Sequence, residues 1–286
     1  MTASLAEVVA ALEAAYPPAL AESWDAVGLV CGDPAEPVRR VLVCVDPVES
    51  TVDEAVEVGA QLVLAHHPLL LRGVHGVPAD EPKGRLVHRL VRAGAALYCA
   101  HTSADVANPG VSDALAAALG LRDTRPLSPH ETDRRLGVGR IGVLPRPRPF
   151  AEFVRHVAAA LPATAWGVRG AGDPDRVIST VAVCGGAGDS YLDAARRAGV
   201  DAYVTADLRH HPAGEHLARA DVPGGRVPAL VDVAHWASEW PWCEQAAGVI
   251  RSAFPGTVDV LVSTRRTDPW TVGATAHQPA VDPASS

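Results

Sequence analysis

The first stretch of the sequence whose residue types could perform chemistry is Ala65-His66-His67-Pro68, which contains two adjacent histidines. An apolar run, Leu62–Ala65, precedes them, and the proline excludes their continuing as a regular central strand. In open α/β sheets, ligands bind outside the carboxyl ends of the strands. A single histidine at such a place is usually structural. Because histidine is the commonest metal ligand, an adjacent pair favours a metal site.

Two further stretches repeat one arrangement. A predicted strand, Ala96–Ala100, is followed by His101 and Asp105, and a second, Ala229–Val233, is followed by His235 and Glu239. Residues i and i+4 share one face of a helix, so each histidine–carboxylate pair can reach one cation. A lone pair of this kind is more often a capping or solvated pair. Its duplication, together with the adjacent histidines, favours metal. The predicted ligands are His66, His67, Asp105, His235 and Glu239, with His101 close by as a sixth group.

Imidazole and carboxylate ligands without thiolate suit zinc, iron, manganese or cobalt, and intrinsic affinity alone does not select among them. Sites on two similar halves predict two divalent metal ions per chain. Such a pair activates water and clamps a phosphoryl or carbonyl oxygen, which is the chemistry of metal-assisted hydrolysis. We assign proton transfer to His101, with His211 as a second group, because imidazole titrates near neutral pH.

Three weaker features leave two interpretations open. Asp207, His210 and His211 either support the metal ligands from behind or face the substrate, or they form a polar loop. The run Gly185-Gly186-Ala187-Gly188 either cradles an anion on backbone N–H groups or makes a tight turn, and it lacks a P-loop lysine. Four tryptophans either line a cleft or pack in the core, which is their commoner fate: Trp24, Trp236, Trp240 and Trp242.

Composition limits the classes of protein. The 286 residues carry a formal charge of −8, which argues against nucleic acid as the main partner. Five cysteines without C-x-x-C spacing exclude a disulfide scaffold and a thiolate zinc cluster. The first 15 residues lack the pattern of a signal peptide, and no stretch approaches the length of a membrane span. We therefore expect a cytoplasmic protein without membrane contact.

Strands alternate with helices along the chain, which predicts an α/β fold of two similar halves with mainly parallel sheets flanked by helices. Residues 1–121 form the first half and 150–266 the second. The Arg- and Pro-rich residues 122–149 are expected to connect them, with one strand at 140–144. A helix is predicted at 241–252 with proline in its first turn. Residues 267–286, polar and rich in Pro, Ala and Ser, are expected to form a flexible tail.

An internal repeat supports the two halves. Residues 41–65 and 181–205 align without a gap at an offset of 140, and the strand–helix–glycine–strand pattern matches throughout. Any two β-α-β units look alike, but the shared glycine that ends each helix, Gly59 and Gly199, favours duplication.

Taken together, the motifs resemble one known family, the NIF-three-like dinuclear-metal-centre proteins, also called GTP cyclohydrolase type-two homologues. The resemblance covers roughly residues 24–240 and lies in W-D-A-V-G-L, A-H-H-P, H-T-S-A-D, V-C-G-G-A-G, T-A-D-L-R-H-H and D-V-A-H-W-A-S-E. It implies two α/β halves, a toroidal homohexamer, and metal ligands at the five positions predicted above. The sequence departs from the family pattern at Ala26, Ser103-Ala104 and Ala206, none of them a ligand. The long members of the family carry an extra domain inserted between the two halves. Residues 122–176 are too few to form it.

Two functions are compatible with these motifs and with the resemblance. The first is a metal-dependent hydrolase that acts on a nucleotide or another phosphorylated small molecule. Its cyclohydrolase label comes from the resemblance alone. The second is a non-catalytic metal-binding scaffold or metal-handling hexamer. An open coordination position and a substrate-sized pocket beside the metals would distinguish the first from the second.

Overall fold

The computed structural model describes residues 2–223 and 225–274. Within them the strands are Ala3–Ser4 (β1), Gly28–Cys31 (β2), Pro37–Val38 (β3), Arg40–Cys44 (β4), Leu62–Ala65 (β5), Ala96–Cys99 (β6), Arg122–Pro129 (β7), Gly137–Pro149 (β8), Val168–Ala171 (β9), Val177–Ala187 (β10), Ala202–Ala206 (β11), Ala229–Val233 (β12) and Asp259–Val262 (β13). The α-helices are Leu5–Ala15 (α1), Glu49–Glu57 (α2), Pro82–Arg92 (α3), Thr102–Val106 (α4), Val111–Ala118 (α5), Phe150–Ala160 (α6), Leu192–Ala198 (α7), His210–Ala218 (α8) and His235–Ala253 (α9).

Two sheets flanked by helices confirm the predicted α/β fold. The first sheet has the strand order β13-β4-β5-β6-β2, and only its edge strand β2 runs antiparallel to its neighbour. The second has the order β7-β8-β10-β11-β12-β9, with a parallel centre of β10, β11 and β12 between antiparallel outer strands. The second sheet is therefore mixed, where the sequence predicted mainly parallel pairing. A short antiparallel ribbon pairs β1 with β3.

The internal repeat is reproduced in the register of the two sheets. Val41 on β4 pairs with Leu62 on β5, and Val181 on β10 pairs with Ala202 on β11, each 140 residues further on. Gly59 and Gly199, which follow α2 and α7, both adopt a positive φ, +65° and +69°. This conformation is accessible to glycine without a Cβ clash, which explains why both repeats end their helix at glycine.

Helix α9 packs against strands of both sheets, against β4 and β13 in the first and β10 and β11 in the second. Its side chains Trp242 and Ile250 are fully buried in the core that the two halves share. The sequence predicted that this helix begins at Pro241, and that prediction was wrong. The helix begins at His235 and carries Pro241 inside it, because burial of the surrounding side chains outweighs the lost backbone hydrogen bond.

The segment expected to connect the halves contains two strands rather than one. Strands β7 and β8 pair with each other, and β8 pairs with β10, so both extend the second sheet. The prolines that suggested a loop lie at the end of β8, beyond its last partner on β7, where a missing N–H costs no ladder bond on that side. Strand β13, from the end of the second half, joins the first sheet beside β4. The division into domains at the stated boundaries stays a prediction.

The predicted tail begins with ordered contacts. The Thr267 hydroxyl donates to Asp46 Oδ2, Asp268 is buried, and the Trp270 ring centroid lies 6.1 Å from that of Trp166. Residues 275–286 of the predicted tail lie outside the described residues. Across 2–223 and 225–274, the helices are all too short or too polar to cross a membrane.

Candidate metal centre

The predicted ligands lie at the carboxyl ends of strands, as the sequence implied. His66 and His67 directly follow β5, and His101 follows β6 as the residue before α4, which carries Asp105. From the second sheet, His235 begins α9 directly after β12. One helical turn later, Glu239 projects into the same space. The repeat thus brings equivalent ends of the two sheets to one site.

Glu239 lies at the centre of the cluster. Its Oε1 is 3.0 Å from His235 Nε2 and 3.5 Å from His66 Nε2, and its Oε2 is 3.1 Å from His67 Nε2. Asp105 lies on the other side of His66, with Oδ1 3.8 Å from His66 Nε2. Two groups of three ligand atoms fall within 4.8 Å of one another and can hold a metal ion: His66, His67 and His101, and His67, His235 and Glu239.

Each of the four histidines is held through Nδ1. His66 Nδ1 donates to the carbonyl of Ala100 at 3.0 Å. The other three donate to carboxylates, in the pairs His67–Asp46 at 2.7 Å, His101–Asp25 at 2.9 Å and His235–Asp207 at 2.7 Å. A proton on Nδ1 leaves the Nε2 lone pair free in the neutral ring. This arrangement is the one by which proteins orient metal-binding imidazoles.

The donor set fits a cation. Free Nε2 lone pairs face the oxygens of Glu239, and acceptors at 3.0–3.5 Å repel one another unless positive charge lies between them. His66 Nε2 and Glu239 Oε2 are fully buried and have no hydrogen-bond partner among the described residues. Leaving such groups buried and unpaired costs on the order of 1–3 kcal/mol each, a cost that coordination to a metal removes.

The pKa values of the side chains in the cluster reflect the same electrostatics. Burial alone would raise the pKa of Glu239, but the charges of His235, His67 and His66 hold it well below its usual range. Glu239 in turn raises the pKa of His235 to about 11. Burial would lower the pKa of His67, but Glu239 and Asp46 raise it to about 10. Burial raises the pKa of Asp105 to about 6. The cluster therefore attracts positive charge, as protons or as metal.

A cavity of about 400 Å³ opens on the cluster and is lined by His67, His101, Asp105, His235 and Glu239. It is also lined by Glu22, Trp24, Val106, Val138, Gly185, Gly186, Ala187 and Tyr191, among others. A second cavity of about 380 Å³ shares His67 and His235 but faces Trp166, Trp236 and Trp270. The site thus has room for a small molecule beside the candidate ligands.

The glycine run forms the end of β10, where the pairing with β11 shifts register between Val183 and Ala187. The Gly185 N–H donates to Ser112 Oγ and the Gly186 N–H donates to Ser238 Oγ, so neither is free to bind an anion. A Cβ on Gly186 would lie 2.5 Å from Glu239 Oε1. Of the two interpretations left open by the sequence, these hydrogen bonds count against the anion cradle, and the run is the irregular end of a strand rather than a tight turn.

His211 lies apart from the cluster. It is exposed in the first turn of α8, where its ring contacts His210, and it lines neither cavity beside the candidate ligands. Its assigned role in proton transfer stays a prediction, without support from a contact. Asp207, by contrast, contacts His235, which favours the first of its two interpretations.

Asp25 and Asp46 belong to the site but were not predicted from the sequence. The Asp25 side chain is fully buried and accepts from both His101 and the Thr102 N–H. Asp46 follows β4 by two residues and accepts from His67. An aspartate just beyond the carboxyl end of a strand was the available signal for Asp46, and the W-D-A-V-G-L motif was the signal for Asp25.

Fold and site together define an α/β protein of two sheets with a buried histidine–carboxylate cluster that can bind a metal. A family model described as Duf34/NIF3 (NGG1p interacting factor 3) matches residues 3–269. The chain therefore belongs to the DUF34/NIF3 family, which confirms the resemblance seen in its motifs.

Relatives cover nearly the whole chain. A protein of Streptomyces coelicolor named "GTP cyclohydrolase 1 type 2 homolog" is 53% identical over 272 residues, 93% of each chain. A Mycobacterium tuberculosis protein of the same name is 42% identical over 376 aligned residues, 94% of this chain and 97% of its own. That alignment exceeds 286 residues, so the relative has residues that this chain lacks.

Solved structures agree with the fold. A Staphylococcus aureus hypothetical protein superposes with a TM-score of 0.84 at 26% identity, covering 95% of this chain and 99% of its own. A Bacillus cereus protein related to NIF3 superposes with a TM-score of 0.86 at 24% identity, covering 94% and 99%.

Proposed function

We propose that the protein is a metal-dependent hydrolase whose cluster binds two divalent ions, drawn from zinc, iron, manganese and cobalt. The observation that carries the proposal is the convergence of free imidazole Nε2 atoms on Glu239, with His66 Nε2 and Glu239 Oε2 buried and unpaired. Glu239 has Oε1 near His66 and His235 and Oε2 near His67, so its two oxygens can serve two neighbouring ions, which supports two ions rather than one. The adjoining cavity supports a catalytic function over a purely structural one.

When bound, divalent ions at such a site supply Lewis acidity toward a carbonyl or phosphoryl oxygen and a means of activating water. The protein's own residues have complementary tasks. Asp25, Asp46 and Asp207 hold three of the imidazoles in one tautomer and orientation. The cavity walls hold the substrate against the cluster.

His101 is the residue we propose for proton transfer. Burial and the neighbouring His66 lower its pKa, against the opposing effect of Asp25, so the ring is a base near neutral pH. Because His101 also belongs to one group of ligand atoms, its role needs a test. A His101→Ala variant that keeps its metal but loses turnover would support proton transfer, and a variant that loses one equivalent of metal would identify a ligand.

Metal content per chain is the first measurement for this proposal, made by elemental mass spectrometry on protein purified without a metal-affinity tag. We expect about two equivalents in the wild type. Glu239→Gln should lose metal, while Glu244→Gln, an exposed position on the same helix, should retain it. Persistent absence of metal after incubation with zinc, iron, manganese or cobalt would contradict the proposal.

A hydrolysis screen over nucleotides and phosphoesters follows, with both variants in parallel. The starting hypothesis is a nucleotide or phosphorylated small molecule, and we expect turnover in the wild type and in Glu244→Gln alone. Full metal occupancy without turnover of any compound would favour the metal-handling scaffold instead.

We also propose a homohexamer, on the strength of the family resemblance. Light scattering coupled to size-exclusion chromatography should give six times the chain mass of 29.7 kDa. A monomer or dimer at micromolar concentration would contradict this.

A further inference from the structure

The cavity beside the cluster has two kinds of lining residue. Some are candidate metal ligands, and others are aromatic, apolar or glycine residues, including Trp24, Tyr191, Val106 and Val138. Its volume of about 400 Å³ lies toward the small end of the range for small-molecule sites. The residues that are not ligands therefore help to select the part of the substrate that reaches the cluster.

Apart from the imidazoles, fixed charge in this cavity is negative. Among the described residues that line it, the charged side chains apart from histidine are Glu22, Asp105 and Glu239, and there is no lysine or arginine. The arginines of neighbouring segments are engaged elsewhere, Arg209 with Asp189 and the buried Arg140 with Asp113. Phosphate recognition in proteins relies on arginine or lysine side chains and on free backbone N–H groups.

Three backbone donors in the cavity are also occupied. The N–H groups of Gly185 and Gly186 bind serine hydroxyls, and the Thr102 N–H, at the start of α4, donates to Asp25. A phosphate chain inside this cavity would find no lysine or arginine among the described lining residues and none of these three donors. Its attraction would come mainly from the metal ions.

Trp24 offers an aromatic contact rather than a charge or a hydrogen-bond donor. It is 57% exposed at the cavity, and its ring meets His101 edge-on, with centroids 5.9 Å apart and an interplanar angle of 78°. The exposed part of the indole is available for stacking against a flat ring. Tyr191 adds a hydroxyl that stays neutral, because burial raises its pKa to about 12.

We propose that the substrate enters this cavity as an uncharged, flat nitrogen heterocycle that stacks on Trp24, and that any phosphate it carries stays outside. The inference rests on the proposed function and narrows its substrate class. A nucleotide satisfies it through its base rather than through its phosphates.

The test is titration calorimetry of the zinc-loaded full-length protein with adenosine, guanosine, cytidine and uridine and with the four corresponding triphosphates. We expect at least one nucleoside to bind. The Kd of the corresponding triphosphate should differ from that of the nucleoside by no more than about threefold. Because a base–aromatic stack contributes roughly tenfold or more to affinity, Trp24→Ala should weaken nucleoside binding about tenfold. Trp24→Phe, which keeps an aromatic face, should restore most of it.

Trp270→Ala is the matched control, because Trp270 is 58% exposed but lines the other cavity. It should bind nucleosides like the wild type. Three outcomes would overturn the inference: binding of no nucleoside, a gain of tenfold or more from the triphosphate, or wild-type affinity in Trp24→Ala. Nucleoside binding without hydrolysis would contradict the proposed function and leave this inference intact. Hydrolysis of phosphorylated compounds that lack a ring would support the proposed function and contradict this inference.

Discussion

At the scale of single residues, the site depends on which imidazole nitrogen carries the proton. Asp46 and Asp207 accept from Nδ1 of His67 and His235 and thereby aim their Nε2 atoms at Glu239, and Asp25 accepts from His101 Nδ1 in the same way. A carboxylate in this position also makes the imidazole a stronger ligand. Removing one of these carboxylates should therefore weaken metal binding without removing a ligand.

Asp207→Asn tests this dependence with little disturbance of the backbone. Asp207 has φ +55°, a conformation that asparagine also tolerates. The amide can accept the same hydrogen bond but lacks the negative charge, so we expect metal affinity to fall about 10- to 100-fold. Competition with a chelator of known affinity measures the loss. Asp123→Asn, at φ +53° and exposed, controls for the backbone and should match the wild type. Equal affinity in both variants would remove Asp207 from the site.

Gly186→Ala tests how closely the end of β10 approaches the ligands. The new Cβ would lie 2.5 Å from Glu239 Oε1 and 3.2 Å from His235 Nε2, so both ligands must move. We expect metal content to drop below half of the wild-type value, measured by elemental mass spectrometry.

Gly199→Ala is the matched control, because its φ is the same +69° but its Cβ would meet nothing within 4 Å. Both variants pay the cost of a left-handed alanine, about 1–2 kcal/mol. If Gly199→Ala loses as much metal as Gly186→Ala, general destabilisation rather than ligand displacement is the cause.

At the scale of elements, the sequence predicted the features that depend on interactions between neighbouring residues. The strand at 229–233 was predicted with its observed bounds, and the apolar run 62–65 before the histidines forms β5 over the same residues. The histidines at strand ends followed from the same patterns. Each of these features depends on neighbours within a few residues, which the sequence displays directly.

Long-range packing determined what the sequence did not predict. Helix α9 continues through Pro241 because Trp242 and its neighbours are buried between the two sheets, a contact that no local pattern reports. Strand β8 is kept despite its prolines by pairing with β7 and β10. Asp25 was missed as a partner of His101 because 76 residues separate them.

Helix α8 is held to the second sheet through a buried histidine. His216 Nε2 donates to the carbonyl of Pro228, just before β12, at 3.1 Å. Burial lowers the pKa of His216, outweighing the effect of that carbonyl. The unfolded chain therefore binds this proton at higher pH than the folded chain does, starting near pH 6.5. The stability that neutral His216 contributes is present above that pH and is lost as pH falls through the folded pKa.

His216→Gln should therefore lose less stability than the wild type when the pH is lowered from about 7.5 to 5.5, because glutamine does not take up the proton. Urea midpoints at the two pH values measure the difference, and exposed His75→Gln controls for loss of a histidine. An identical pH dependence in wild type and His216→Gln would show that this histidine does not contribute.

At the scale of the whole molecule, the chain ties its halves together twice. Helix α9 lies between the sheets, and β13 returns to the first sheet, after which Thr267 reaches Asp46 beside His67. The candidate metal site spans the same junction, with His66 and His67 from the first half and His235 and Glu239 from the second. Metal bound there would stabilise the association of the halves as well as the local loops.

Metal should therefore raise the unfolding temperature of the entire chain. A ligand that binds only the folded state at 100 times its Kd adds about 2.7 kcal/mol. For a chain of this size that corresponds to a rise of roughly 5–10 °C, which differential scanning calorimetry can measure after chelation and reloading. Glu239→Gln should lose most of this rise, because it removes the carboxylate on which ligands from both halves converge, while Glu244→Gln should keep it. If only a minor early transition shifts and the main transition does not, the site stabilises its own loops alone. In that case the junction between the halves is held by α9 and β13 without help from metal.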